Sequence, residues 1–277
     1  MLGTIVRTAV LVCLTAQALA HMMIETPACL RSKSNPYYAG SALIDYSMTN
    51  PLKTDGSDFP CKKYQGDIAS GISKATGTLT AGQNFTVTLS GSATHEGGSC
   101  QFSLSYDSGK TFGVIYSVIG GCPLVSSYTF LVPSNAPAGK DIILAWSWWN
   151  KIGNREMYMN CAHVNLVSSV TGSITLPRMF EANVQGDSTC RTIEGTEVNF
   201  ANPQVTNCPN VITTATKVTL NGNGTPGNTT TTTTTSTTSS PGTTSTPGTG
   251  SCSGVAAWSS FSHYVEEFYL QFARLCL

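Results

Sequence analysis

Four runs of this sequence carry apolar residues recurring with a period of two on one side, and no long helical period appears beside them. In "NFTVTLSG" the residues Phe85, Val87 and Leu89 alternate with Thr86, Thr88 and Ser90. "QFSLSYD" repeats the pattern through Phe102 and Leu104, and "DIILAWSWW" sets Ile142, Leu144, Trp146 and Trp148 on one side. "MYMNCAHVNL" does the same with Tyr158, Ala162, Val164 and Leu166. Successive side chains of an extended strand point to opposite faces, so each run has an apolar face that needs a second layer to cover it. Gly, Pro, Asn and Ser separate the runs, as in "VPSNAPAGKD". This pattern predicts an all-β, immunoglobulin- or fibronectin-like antiparallel β-sandwich with long loops. The Pro-, Ser-, Tyr- and Gly-rich stretch from Pro27 to Gly66 is expected to be long loop with a helical turn.

Composition changes at both ends of this body. Residues 1–20 read as a secretory signal: Arg7 is the only charge, Ala9 to Leu14 belong to an apolar core, and Ala18-Leu19-Ala20 is a small-x-small cleavage pattern. Cleavage after Ala20 makes His21 the first residue and places the product outside the cell. The ordered domain is expected over 21–213, followed by a disordered Thr/Ser/Gly/Pro-rich linker over 214–251 that includes "NTTTTTTTSTTSSPGTTSTPGTG". Such a run has too little apolar surface to fold and suits O-glycosylation. Sequons for N-glycosylation occur at Asn84, Asn223 and Asn228, the last two placed in the linker.

Fifteen Lys and Arg balance fifteen Asp and Glu, and charged residues are only 11% of the chain. Zero net charge removes any electrostatic case for nucleic acid or an anionic membrane and suits a neutral partner such as a polysaccharide. Ten cysteines are present, and Cys13 leaves with the signal. Nine then remain, which fits an oxidising compartment with one thiol left over.

His21, His95, His163 and His263 are the histidines. A histidine at position one offers a metal two ligands, its α-amine and its ring Nδ1, and that amine titrates near about 7.7–8.0. A second imidazole completes three nitrogens in a T with positions left open. All-nitrogen tetragonal geometry favours copper(II), which also heads the divalent affinity order. His95, in "GSATHEGGSC", follows a strand and precedes two glycines, as a loop ligand would. A solvated loop histidine would look the same by spacing. His163 lies mid-strand with parity opposite to Ala162 and Val164, which fits a structural side chain better than a ligand, and His263 lies beyond the linker.

The mature start "HMM" together with "DGSDFPCK", "THEGGSCQ" and "LAWSWWNKIGNREMYMNC" resembles fungal lytic polysaccharide monooxygenases of auxiliary activity family 11, whose activity is oxidative cleavage of chitin. The resemblance runs from about Ala20 to Cys208. It implies one copper ion held by His21 and His95 in a histidine brace, with Tyr158 at the distant axial position. It implies further that Glu156 is an outer-sphere carboxylate turned toward the oxygen co-substrate, and that Ala93 is the small residue on the opposite axial side. Taken alone, Tyr158 would more often be a plain core tyrosine and Glu156 a solvated charge at a strand end. The resemblance also pairs Cys61 with Cys161, Cys100 with Cys122 and Cys190 with Cys208. Cys29, in "TPACLRSKSNPYY", departs from the family's pattern.

Past the linker, "CSGVAAWSS" resembles the opening of carbohydrate-binding module family 5, but no tryptophan follows Trp258 to complete a sugar-stacking platform. Residues 252–277 are therefore expected to be a truncated remnant that supports chitin as substrate without binding it. The resulting expectation is a secreted, monomeric copper enzyme that cleaves β-1,4 bonds of crystalline chitin or a related insoluble polysaccharide. It would use O2 or H2O2 and a small-molecule or protein electron donor. The alternative is a non-catalytic secreted copper- or carbohydrate-binding protein of the same fold. A hydrolase needs paired carboxylates about a cleft, and no distinctive pair stands out.

Overall fold

The computed structural model describes residues 21–184 and 190–226. The signal segment 1–20, the linker from residue 227 onward with Asn228, and the module-like tail 252–277 with His263 lie outside the described residues.

Among the described residues twelve strands run in the order β1 (Met22–Thr26), β2 (Gly77–Thr80), β3 (Asn84–Gly91), β4 (Gly98–Ser105), β5 (Gly113–Val118), β6 (Ser127–Leu131), β7 (Gly139–Asn150), β8 (Met157–Val167), β9 (Ser173–Pro177), β10 (Arg191–Thr192), β11 (Val205–Thr206) and β12 (Lys217–Asn221). A three-stranded sheet, β1-β3-β6, packs on a five-stranded sheet, β2-β8-β7-β4-β5. The chain is thus a β-sandwich of the expected class. One pairing departs from the expected antiparallel pattern, because β2 runs parallel to β8.

The period-two residues do what their spacing predicts. Phe102, Leu104, Ile142, Leu144, Trp146, Trp148, Tyr158, Ala162 and Val164 form one core with Val87 and Leu89 of the opposite sheet. The other face of the long strands is buried as well. Ile143, Ala145, Trp149, Met157 and Met159 pack against Leu30, Leu52, Phe180 and Phe200 from the connecting segments. Trp149, Phe180 and Phe200 meet edge-on, with ring centroids 5.1, 5.5 and 5.9 Å apart, the arrangement that aromatic quadrupoles favour. Every residue of β4 is buried as a result.

Disulfides join Cys61 to Cys161, Cys100 to Cys122 and Cys190 to Cys208. The first ties the Pro27–Gly66 segment to β8. That segment carries short 3-10 turns at Pro36–Tyr38 and Cys61–Lys63. Cys29 is a buried free thiol whose Sγ–H donates to the Ile24 carbonyl at 3.4 Å, and burial pushes its pKa up to about 12.

One domain boundary needs correcting. The expected linker start at 214 falls inside folded chain, because β12 pairs with β9 from Lys217 to Asn221 and buries Leu220 to 2% exposure. Its neighbour Asn223 accepts a hydrogen bond from the Lys140 amide at 2.9 Å and donates to the Tyr106 carbonyl at 3.3 Å. The Thr- and Asn-rich composition hid a five-residue strand whose Val218 and Leu220 still alternate with polar neighbours.

Candidate metal centre

His21 immediately precedes β1, and β1 meets β3 with Met22 opposite Gly91. Gly91 lies at φ +139, and a Cβ there would collide with the His21 carbonyl oxygen. Glycine is what lets the chain start approach β3 this closely. His95 comes from the β3–β4 loop. It and Glu96 take positive φ values of 48 and 55, within the left-handed region that histidine tolerates better than most side chains. The turn is closed by the Gly97 amide donating to the Thr94 carbonyl at 2.7 Å. Ile152 and Lys151 amides donate to the His95 and Gly97 carbonyls at 3.2 and 3.1 Å, which locks this loop to the β7–β8 turn.

That turn carries Glu156. Asn150, buried at the end of β7, donates to the carbonyls of Ile152 and Asn154 at 2.9 and 2.7 Å and accepts from the Glu156 amide at 3.2 Å. Arg155 donates to the carbonyls of Asn150, Lys151 and Gly153. Glu194 accepts from the Gly153 amide at 2.9 Å, and Asn183 donates to the Glu156 carbonyl at 3.0 Å. The backbone donors and acceptors of the turn are thus largely met by side chains, so Glu156 projects from a fixed frame.

One ligand-capable atom from each of His21, His95 and Glu156 lies within 4.8 Å of the others, and all three residues are half-buried. The two imidazoles are stacked with centroids 5.7 Å apart. The Tyr158 ring lies 5.4 Å from His21 and 6.2 Å from His95. Its hydroxyl donates to Glu156 Oε2 at 2.6 Å and sits 3.3 Å from His95 Nε2. Trp148 backs this group, 4.3 Å from Tyr158 and 5.7 Å from His95. Burial, then the hydrogen bond to Glu156, raises the Tyr158 pKa far above the phenol range. Tyr158 therefore stays a neutral donor. Burial, aided by His95 and Lys62, holds the His21 ring below the ordinary imidazole value against the opposing influence of Glu156 and Asn50. A depressed pKa keeps that ring neutral, the form that ligates metal.

The donor set fits a metal ion on one further observation. His21 Nδ1 is buried and has no hydrogen-bond partner. A buried nitrogen left bare is costly unless something binds it. This is the nitrogen that can close a chelate ring with the residue's own terminal amine.

Other sequence-predicted residues stand as follows. Ala93 is half-buried in the loop two residues before His95. His163 is elsewhere: it is 2% exposed, with Nδ1 3.1 Å from Ser73 Oγ and Nε2 3.0 Å from Asp141 Oδ1. Sequence reading missed Asn150, Arg155, Asn183 and Glu194. A buried Asn ending a strand before a Gly-Asn turn was the available signal.

Two imidazoles and a carboxylate within ligand reach of one another, one imidazole with a bare Nδ1, form a candidate centre for a single metal ion of the kind a histidine brace would provide. Comparison with known proteins gives the family. The chain is 51% identical over 188 residues to AA11 family lytic polysaccharide monooxygenase A of Aspergillus fumigatus, covering 66% of this chain and 82% of that protein. It is 38% identical over 216 residues to an AA11 family lytic polysaccharide monooxygenase of Aspergillus oryzae, and 34% identical over 218 residues to monooxygenase B of Aspergillus fumigatus. These matches cover 46% and 48% of the two relatives, so the chain spans about half their length. The chain belongs to the AA11 family of lytic polysaccharide monooxygenases, copper-dependent oxidative enzymes. No protein-family model matches it. Among solved structures it is similar to a Bacillus amyloliquefaciens CBM33 in complex with Cu(I), at 14% identity and TM-score 0.36 over 53% of this chain and 100% of that one. It is also similar to a chitin binding domain from Burkholderia pseudomallei, at 14% identity and TM-score 0.35 over 53% and 99%.

Proposed function

We propose that the chain, secreted and trimmed after Ala20, cleaves crystalline chitin oxidatively at a single copper held by His21 and His95. The observation that carries this reading is the bare, buried Nδ1 of His21 beside a second imidazole and a carboxylate. Cleavage of the signal turns the His21 peptide nitrogen into an amine, the third nitrogen of the set.

Copper bound there would accept one electron from an external donor and activate O2 or H2O2 for attack on a carbon of the glycosidic linkage. The protein's own contribution is placement. Tyr158 fills the space beside both rings and excludes water from that side. Its hydroxyl proton is committed to Glu156 Oε2, which fixes the carboxylate while leaving Oε1 free to accept a proton or a hydrogen bond. With copper held by His21 and His95, Glu156 would serve as the acid or base beside it and Tyr158 as the shield on its own side of the site. Ala93, two residues before His95, would add little bulk to the loop that carries this ligand.

The neutral, weakly charged composition suits an uncharged polysaccharide, and the module-like opening at Cys252–Ser260 favours chitin among them. The test is mature protein loaded with copper(II), given ascorbate and β-chitin, with products read by mass spectrometry. Oxidised oligosaccharides are expected. Bound metal without them would favour the non-catalytic copper-binding reading. An axial copper(II) resonance spectrum would set aside a zinc site built from His21, His95 and Glu156.

A further inference from the structure

Two cavities of the described residues, one lined by Phe59, Phe112, Arg178 and Val218 and the other by Glu25, Ser34, Tyr37 and Thr76, include none of His21, His95 or Glu156. All three are half-buried, so the surface beside them is where a polymer would be gripped. The β5–β6 loop adjoins the loop that carries His95. Its Cys122 amide donates to the Gly98 carbonyl at 3.1 Å, and its Gly120 amide donates to Ser99 Oγ at 3.2 Å. Gly97, two residues after His95, approaches Gly121 so closely that a Cβ would lie 3.1 Å from the Gly121 Cα. At its far end the Ser126 carbonyl accepts from the Leu89 amide at 2.8 Å, two residues before the Gly91 that faces His21. The Cys100–Cys122 disulfide fastens the middle.

On this clamped loop Ile119, Leu124 and Val125 are 56%, 56% and 57% exposed. Their neighbours in the core are almost wholly buried, so these three aliphatic side chains are held out to solvent by a rigid frame. Grouped exposed apolar side chains mark a surface that meets a partner. No charged residue lies between Ile119 and Ser126 in the sequence, and the Glu197 carboxylate that packs against Gly120 is paired with Lys151 at 3.4 Å.

We propose that Ile119, Leu124 and Val125 form a docking surface for the apolar ring face of the insoluble polysaccharide, setting the polymer across His21 and His95. This deepens the functional reading above and rests on it. The occupant is argued from continuity with the loop that carries His95 and from the match of an uncharged aliphatic strip to a neutral polymer, whose ring C–H faces are its apolar surface. Removing apolar contact from such an interface weakens it in proportion to the area lost. The frame costs little on binding because it is already ordered.

The experiment is a set of binding-depletion isotherms on β-chitin with the copper-loaded mature enzyme. The double variant Leu124→Ser/Val125→Ser is expected to raise the dissociation constant about tenfold, and Ile119→Ser by about threefold. Melting temperature and copper(II) affinity should match wild type in both. Leu131→Ser is the control: it removes an aliphatic side chain 60% exposed at the opposite end of β6, opposite Asn84, and should change nothing. Isotherms of the double variant that superimpose on wild type overturn the proposal, as does an equal loss in Leu131→Ser. A concentration-dependent dimer that the double substitution abolishes would also overturn it, by giving the strip to a second copy. Patch-dependent binding by a wild type that releases no oxidised product would sink the catalytic reading and leave the surface standing.

Discussion

Two histidines end up in contrasting states within one sandwich. His163, on β8, has a partner at each ring nitrogen: one neutral tautomer can donate from Nε2 to Asp141 and accept at Nδ1 from Ser73. His21 has a buried Nδ1 with none. A Ser, a His and an Asp in sequence contact are the residue types of a hydrolytic triad, yet Ser73 is only 3% exposed and no substrate reaches it. The fully partnered group is the structural one, and the chemistry collects where partners are missing. A bare atom alone is not enough, because the indole nitrogens of Trp146 and Trp149 also lack partners. Indoles are donors only and those two rings are buried in the core, whereas His21 has His95 and Glu156 within ligand reach.

The sharpest way to break this contrast is to exchange the fates of the two residues. His21→Ala and His95→Ala should each lower oxidised-product yield by at least about a thousandfold, since loss of the metal removes the reaction. Copper(II) affinity by calorimetry should collapse in parallel, while the melting temperature of the metal-free protein moves little. Adding a single alanine before His21 tests the amine specifically, because it keeps the ring and returns the nitrogen to an amide. Retained activity in that variant would refute the brace.

Glu156→Gln comes next. It keeps the shape and the acceptor for the Tyr158 hydroxyl but removes the charge and the proton-accepting oxygen, so turnover should fall about a hundredfold. Copper should still bind within a few-fold of wild type, which separates a carboxylate beside the metal from one that holds it. Tyr158→Phe should cost less, about tenfold in turnover, since the ring that shields the site remains and only one charge-assisted hydrogen bond is lost.

How much of this could be read without coordinates follows from where period two operates. Trp146, Trp148, Tyr158 and Ala162 share one parity of their strands, so both the sandwich core and the shared face of Tyr158 are legible. The second core was not. Leu30, Leu52, Phe180 and Phe200 sit in connecting segments without periodicity, and nothing local says that they cover the outer face of β7 and β8. His163 shows the limit of parity: the strand pattern turns it away from the sandwich core, correctly, but not into water, because loops cover that face too. The proposed donor set is legible only through the small-x-small pattern before His21 and through family resemblance. The frame of Asn150, Arg155 and Glu194 was invisible because side chains satisfying a turn's backbone leave no repeat. β12 was misread because composition was averaged over a window longer than the strand.

His163→Ala inverts the first experiment. It strands the buried Ser73 hydroxyl and empties a packed volume, so unfolding free energy should drop by about 2–3 kcal/mol. Urea denaturation measures this. Copper affinity and product yield at room temperature should match wild type. A loss of copper binding comparable to that of His95→Ala would mean that the two histidine regions are coupled, and the division drawn between them would fail.

The smallest effect tests the partnered interior through pH. Asp67 is 5% exposed, accepts two hydrogen bonds of 2.8 Å from Arg31 and another of 2.8 Å from the Tyr38 hydroxyl. The Arg31 hydrogen bonds chiefly, with help from Tyr38, hold its carboxyl pKa below the usual carboxylate range despite burial. Below its folded pKa both states are protonated and the stabilisation is gone. Above the unfolded value of about 3.9 it is fully present, because the unfolded chain there gains nothing by binding a proton. Stability should therefore fall as pH drops through that window. Asp67→Asn keeps an acceptor for Tyr38 but loses the charge facing Arg31, whose side chain is 26% exposed and can be rehydrated. The cost at neutral pH should be about 1–2 kcal/mol, shrinking toward zero on acidification below the carboxyl's folded pKa. Denaturant titrations of both proteins at neutral and acid pH would show the curves converge, and curves that stay parallel would mean the Arg31–Asp67 charge pair contributes nothing to folding.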